Sequence, residues 1–238
     1  MPDSEKSYVD RAQKSRNLHA ACAGYNVAYV PAPQGTSLAV FLGKIVECEG
    51  LNNSVEGALD MWSEKVDQRV AVSETIKLTS TQLLAYIESS PAWEAKVPRA
   101  KKYANAIRGI KHPRKPLPPT PPGGTPAKRR QRGGQSYAEL ETNWRGLVNL
   151  ATGLPGFAPT SVKIQAGTLN GLLSTLRGLN ETLPADEEAV SEAQKLRQKA
   201  FVETKVGLKA RFDSVKQNVK GQYGTDSAEW AQVKGMSY

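Results

Sequence analysis

The feature that most constrains this chain is a segment near its middle that is unsuited to a packed core. Residues 112–135 read HPRKPLPPTPPGGTPAKRRQRGGQ, with seven prolines, four glycines, six basic residues and no acidic residue. Proline removes backbone donors, glycine disfavours regular structure, and clustered cations resist burial. The sequence therefore predicts a disordered linker at 112–135, which divides the chain into domains at 1–111 and 136–238.

The two flanking segments have the composition of small folded domains. The chain has 238 residues and 39% hydrophobic residues, which suits two domains that each bury a core. No run approaches the roughly 18 apolar residues of a membrane span. The polar start, MPDSEKSYVD, lacks the apolar core of a signal peptide. We therefore expect a cytoplasmic protein.

Apolar residues recur at helical spacing in the first segment, which predicts four helices. The first two end at glycines that follow an apolar stripe, and the next two begin at capping residues. These predicted ends and starts are Gly24, Gly50, Asn53 or Ser54, and Thr79 or Ser80. The run VAVSETIKL at 70–78 is β-branched enough to form a strand. A helix end with a connector is the preferred interpretation, because no partner strand is evident.

The second segment has the same helical pattern. It predicts a turn at 154–156, a helix that ends at Gly178 and another that begins at Pro184. A last helix ends near Gly221 or Gly224. The predicted fold is therefore all-α, with two tandem bundles of three or four helices joined by the linker.

The two segments also resemble each other in the order of these features. One common offset places Pro31 opposite Pro159, residues 50–52 opposite 178–180, and Arg69 opposite Arg197. Offsets that differ from it by one or two positions place Ser7-Tyr8 opposite Ser136-Tyr137 and residues 107–110 opposite 233–236. The pattern favours an internal duplication in which each half forms its own bundle. Two unrelated helical hairpins of similar length remain the alternative.

The C-terminal residues carry a resemblance to a known group of proteins. Residues 223–235 read YGTDSAEWAQVKG, which resembles the closing signature of an uncharacterised family of bacterial helical-bundle proteins, aromatic-Gly-x-x-Ser-x-Glu-aromatic-x-x-Val-Lys-Gly. The first half keeps only Arg108-Gly109 of this ending. The resemblance implies a helical fold and no particular activity. We expect Asp226 or Ser227 to cap a short turn there, and Trp230 to pack on its bundle.

Charge is concentrated in one part of the chain. The formal net charge is +9, and residues 95–138 alone contribute +12, with twelve basic residues and no acidic one. Residues 1–94 contribute −4 and residues 139–238 contribute +1. A local cationic strip of this kind attracts polyanions such as nucleic acid or acidic lipid.

Catalytic and metal-binding patterns are weak in this sequence. The chain has two histidines and two cysteines. His19 and Cys22 stand at i, i+3 and Cys48 is a conceivable third ligand, but a structural zinc site needs four. Gly43-Lys44 lacks the remaining residues of a phosphate-binding loop. We therefore expect no enzymatic activity, no cofactor and no metal, with both cysteines buried in the core.

The sequence thus favours a non-enzymatic binding or scaffold protein whose linker engages an anionic partner, for example nucleic acid. The candidate anion-binding residues are Arg114, Lys115, Lys128, Arg129, Arg130 and Arg132. The alternative is a duplicated structural bundle that self-associates or docks on a protein partner, with the linker as a spacer only. A third possibility, an enzyme with a site between the bundles, has no positive support.

Overall fold

The computed structural model describes residues 3–25, 28–31, 37–110 and 136–238. These residues form α-helices and short 3-10 helices joined by turns, and they contain no β-strand. The predicted all-α class is confirmed. The predicted linker at 112–135 lies outside the described residues.

Seven α-helices follow one another along these ranges. They are α1 (Asp3–Ala23), α2 (Leu38–Glu88), α3 (Val97–Ile107), α4 (Tyr137–Thr152), α5 (Ala166–Val202), α6 (Leu208–Tyr223) and α7 (Ala228–Val233). Two 3-10 helices lie at Pro91–Lys96 and Val162–Ile164. None of the helices in the described ranges combines the length and the apolar character of a membrane-crossing segment.

Several helix ends lie where the sequence predicts them. α1 ends before Gly24, whose amide donates to the carbonyl of Ala20 at 3.1 Å. α6 ends before Gly224, which has a φ of 84°, a left-handed conformation that favours glycine. The predicted turn at 154–156 is confirmed, and its Gly156 has a φ of 74°.

The predicted breaks inside α2 are wrong. This helix runs for 51 residues, through Gly50 and through both predicted starts. The hydroxyl of Ser54 donates to the carbonyl of Gly50 at 2.9 Å, and that of Ser80 donates to the carbonyl of Lys77 at 2.7 Å. Such hydroxyls bond inside the helix and cap nothing. Residues 70–78 are helical as well, so the possible strand is absent.

The predicted breaks inside α5 are also wrong. The helix continues past Gly178, and Pro184 lies within it. Proline in a helix interior costs roughly 3 kcal/mol. Leu176, Leu179 and Leu183 are all buried on this helix, and their burial offsets that cost.

The described helices divide into two compact units. The first unit comprises Met1–Trp62 and Ala185–Tyr238. Its core takes residues from α1, from the start of α2, from the end of α5 and from α6 and α7. The buried residues of this core are Ala12, Leu18, Cys22, Phe41, Ile45, Cys48, Ala200, Phe201, Leu208, Phe212, Val215, Val219 and Val233.

The second unit comprises Ser63–Pro184. Its core combines the end of α2, the 3-10 helix Pro91–Lys96, α3, α4 and the start of α5. The largest fully buried side chains in it are those of Trp144, Ile76, Leu83, Ile87, Ile107, Leu147 and Leu169.

This division differs from the predicted one, because each unit combines parts of both halves of the sequence. The difference follows from the unbroken α2 and α5. A continuous helix cannot fold back on the helices that precede it in the same half of the sequence. The apolar residues in its C-terminal part must therefore be buried against helices of the other half. α3 and α4, the helices on either side of 112–135, consequently belong to the same unit.

The C-terminal residues pack onto the core of the first unit. The Ser227 hydroxyl accepts a hydrogen bond from the Trp230 amide at 3.0 Å and caps α7. Val233 is fully buried, and Trp230 packs against the same core. The predicted capped turn and the packing role of Trp230 are confirmed.

Candidate anion-binding surface

The six predicted anion-binding residues, Arg114, Lys115, Lys128, Arg129, Arg130 and Arg132, lie outside the described residues. The helices that flank them are described. α3 precedes the segment in the chain and α4 follows it, and both helices belong to the second unit.

Two contacts define the orientation of α3 and α4. The indole nitrogen Nε1 of Trp93, in the 3-10 helix before α3, donates to the carbonyl of Pro155 at 3.1 Å. Further along the chain, the ring of Tyr103 lies against α4 at Gly146. Trp93 contacts Pro155, whereas Tyr103, which comes later in the chain, contacts Gly146, which comes earlier than Pro155. The two helices are therefore antiparallel. The end of α3 and the start of α4 therefore lie at the same end of the pair.

Gly146 permits the close approach of α3 to α4. A Cβ atom at this position would lie 2.6 Å from the Cε1 and Cζ atoms of Tyr103. Real Cβ contacts essentially never approach so closely, so any side chain here would displace the Tyr103 ring. The absence of a side chain at Gly146 thus allows the Tyr103 ring to pack directly on α4.

α3 presents its cations on the face opposite its buried one. Ala100, Ala104 and Ile107 are fully buried in the core of the second unit. The exposed basic residues on or next to this helix are Lys96, Arg99, Lys101 and Lys102. Apolar residues at helical spacing therefore direct the basic residues of this segment to the solvent.

Some of these cations already have partners. Lys101 Nζ lies 2.8 Å from a carboxylate oxygen of Glu88. The guanidinium of Arg108 donates to Asn105 Oδ1 at 2.7 Å and to the carbonyl of Ala104 at 3.3 Å. The second contact places its charge at the C-terminal end of α3, where the helix dipole favours a cation.

The remaining three cations of this region, Lys96, Arg99 and Lys102, form what we name the α3 basic surface. Among the side chains that the structure describes, no carboxylate is paired with any of them. The Arg99 guanidinium donates to the Tyr103 hydroxyl at 3.3 Å. Exposed cations without carboxylate partners can contact phosphate oxygens at little cost.

The α3 basic surface was not among the residues predicted to bind anions. The signal for it was present in the charge count, because the acid-free stretch begins at Ala95, well before the proline-rich segment. The prediction was limited to the proline-rich segment. The burial of Ala100 and Ala104 shows that the basic residues on the opposite face of α3 are exposed as well.

The possible metal ligands of the first segment occupy the core instead. Cys22 and Cys48 are free, buried thiols, and His19 is half-buried on the same helix as Cys22. Burial and the nearby Arg16 charge lower the pKa of His19. In the described ranges, no three histidine, cysteine or acidic side chains cluster so that they could hold a metal ion.

The two thiols are expected to be unreactive in the folded protein. Burial raises the pKa of Cys22 to about 11 and that of Cys48 to about 12, so at pH 8 almost no thiolate forms. A thiol-specific disulfide reagent at pH 8 should titrate neither thiol natively and both in denaturant. A thiol that reacts at once in the native protein would contradict this, and Cys22→Ala would identify it.

The same two thiols give a pH dependence of stability. Their pKa values in the folded protein lie above the ordinary value of 9.0, so the unfolded chain loses these protons first as the pH rises. Their contribution is therefore complete below pH 9 and is lost as the pH rises to about 11 for Cys22 and about 12 for Cys48. Urea unfolding at pH 8 and pH 10 checks this, since a double Cys→Ala variant should show a smaller loss.

Comparisons with known proteins give no assignment. No protein-family model, no curated protein and no solved structure matches this chain significantly.

Proposed function

We propose that this protein is a non-enzymatic binding protein that engages a polyanion such as nucleic acid. The binding element is the basic segment at 112–135 together with the α3 basic surface. The observation that carries the proposal is the α3 basic surface, whose three exposed cations have no carboxylate partner among the described residues. In the sequence, a segment with six more cations follows it.

The charge distribution supports this choice of ligand. Residues 95–138 carry a net charge of +12, whereas the rest of the chain is slightly acidic. Closely spaced cations release condensed counterions from a phosphate backbone, which gives affinity that depends strongly on salt. No aromatic residue lies between Pro113 and Ser136, so this segment contacts phosphates and does not stack on bases. Binding is therefore independent of base sequence.

Filter binding of duplex DNA across a salt series tests the proposal. Replacing Arg129, Arg130 and Arg132 together by Ala should weaken binding by roughly tenfold or more at low salt, because about three phosphate contacts are lost. The slope of log K against log salt should become shallower by about 3.

A matched control removes the same charge elsewhere. Lys14, Lys163 and Lys195 are exposed, and replacing all three by Ala also lowers the net charge by three. This variant should keep most of the affinity and nearly the same salt slope. Equal losses in the two triple variants would mean that net charge alone drives binding, and the proposed element would be wrong.

Replacing residues 113–135 by a Gly/Ser segment of equal length separates this proposal from the alternative in which the segment is only a spacer. Because α3 and α4 belong to one unit and pack together, we expect thermal unfolding to change little. Binding to DNA should be largely lost. A replaced protein that keeps full affinity would support the alternative, a duplicated structural bundle that docks on another protein.

A further inference from the structure

Two arginine–tyrosine pairs occupy corresponding places in the two units. In the first unit, the guanidinium carbon of Arg197 lies 4.3 Å from the ring centre of Tyr8. In the second unit, that of Arg69 lies 4.0 Å from the ring centre of Tyr137. Both distances are typical of cation–π stacking. Each arginine is on a long helix, and each tyrosine is on a first helix.

These four residues also correspond in the sequence. The offset from Arg69 to Arg197 is the one that aligns the two halves, and the offset from Tyr8 to Tyr137 differs from it by a single position. Each arginine stacks on the tyrosine of the opposite half. The pairs are therefore crossed, so that the long helix of one half contacts the first helix of the other.

Burial repeats at the offsets that align the two halves. The repeat compares α1 with α4, α2 with α5, the end of α2 with α6, and α3 with α7. Buried residues at corresponding positions are Leu18 and Leu147, Cys22 and Ala151, Phe41 and Leu169, Cys48 and Leu176, Val55 and Leu183, Leu84 and Phe212, Ile87 and Val215, and Ile107 and Val233.

The ends of the first helices correspond too. Gly24 follows α1 and Gly153 follows α4, at the same offset that relates Tyr8 to Tyr137. The amide of Gly24 donates to the carbonyl of Ala20 at 3.1 Å, and that of Gly153 donates to the carbonyl of Asn149 at 3.2 Å. A chance likeness of two hairpins would not repeat the end of a helix, the burial pattern and a crossed pair of contacts together.

We propose that the two halves of this chain are equivalent, interlocking partners. Each unit takes its first helix and the start of a long helix from one half, and its remaining helices from the other. The surface that each half buries therefore fits another half, either in the same chain or in a second copy of it. The Arg69–Tyr137 and Arg197–Tyr8 pairs hold the crossed halves together.

Cutting the full-length protein tests this inference directly. A specific protease site placed within residues 113–135 allows the folded chain to be cleaved between α3 and α4. The two fragments should still elute together at the size of the intact protein. Fragments that separate under native conditions would show that each half folds alone, and the inference would be wrong.

The concentration dependence of unfolding gives a second readout. In the cut protein, unfolding releases two molecules, so dilution should lower the urea midpoint by about 0.5 M for each tenfold step. The intact protein should show no such dependence. A urea midpoint of the cut protein that does not change with protein concentration would also contradict the interlocking of the two halves.

The Arg–Tyr pairs are tested in the same assay. Arg69→Gln with Arg197→Gln should increase the dissociation of cut fragments at least tenfold. Arg145→Gln with Arg177→Gln should not, because both arginines are exposed and their carboxylate partners lie on their own helices. If both double variants behaved alike, the stacked pairs would have no special role in holding the halves.

Exchange between copies is the final readout. Unlabelled and ¹⁵N-labelled cut proteins are unfolded together in urea, refolded and measured by native mass spectrometry. We expect complexes with one light and one heavy fragment. Complete absence of mixed complexes would exclude a second copy as a partner. None of these readouts requires DNA binding. Their outcome therefore tests the inference independently of the proposed function.

Discussion

Replacing Trp144 by Ala is expected to lower the free energy of unfolding by about 3–5 kcal/mol. Trp144 is fully buried and is among the largest side chains in the core of the second unit. It lies in the middle of α4, where Leu147 and Val148 are also fully buried. Removing the indole leaves a cavity that the surrounding helices cannot fill without moving.

Urea unfolding followed by circular dichroism measures this loss. Trp62→Ala is the matched control, because Trp62 is only half-buried in α2. Its replacement should cost much less than that of Trp144. A loss below about 1 kcal/mol for Trp144→Ala would mean that α4 does not form the centre of this core.

The second large effect is expected at Gly146. Replacing it by Ala puts a Cβ atom 2.6 Å from the Tyr103 ring, which forces this ring out of its place against α4. Overpacking of this kind costs about 1–3 kcal/mol. The substitution otherwise favours a helix, since Ala has a higher helix propensity than Gly by about 1 kcal/mol. A net decrease in the free energy of unfolding would therefore come from the contact with Tyr103 and not from helix propensity.

Gly171→Ala is the control with the opposite sign. A Cβ atom at Gly171, in α5, meets no other atom within 4 Å, so the protein should become more stable. Combining Gly146→Ala with Tyr103→Ala should cost less than the sum of the single changes, because the clash is gone. Additive losses would contradict the close approach of the two helices.

Local signals in the sequence predicted the helices and some of their ends. The stripe of Trp144, Leu147 and Val148 identifies α4 by its spacing. Gly224 ends α6 because its positive φ of 84° is a conformation that other residues avoid. Signals of this kind depend on a few neighbouring residues, so they can be read directly from the chain.

The same signals failed where distant packing decides the outcome. Gly50 and Pro184 are typical helix breakers, yet α2 and α5 continue through them. Buried residues lie near each of them, with Cys48 and Val55 on either side of Gly50 and Leu183 just before Pro184, and their packing favours a continuous helix. Intrinsic propensity is a weak preference that such contacts override.

The crossed pairing of the halves is not a local property at all. Arg69 and Tyr137 are distant in the sequence, and only the comparison of the two halves relates them to Arg197 and Tyr8. That comparison identified the corresponding residues but not which tyrosine each arginine contacts. The answer depends on the unbroken long helices, which the sequence signals had divided.

The candidate site was partly accessible from the sequence. Counting charges located the acid-free stretch that begins at Ala95. The pattern did not separate Lys101, which pairs with Glu88 at 2.8 Å, from Lys102, which has no carboxylate partner among the described residues. Glu88 is distant enough along the chain that only the fold brings it to α3.

Lysine footprinting tests the central claim most directly. The protein is acetylated with a limiting amine reagent, alone and with duplex DNA at low salt, and each lysine is quantified by mass spectrometry. We expect DNA to protect Lys115 and Lys128 in the basic segment and Lys102 on the α3 basic surface, while Lys14 and Lys195 keep their reactivity. Protection of Lys14 and Lys195 with no protection of Lys115 and Lys128 would contradict the proposed binding element.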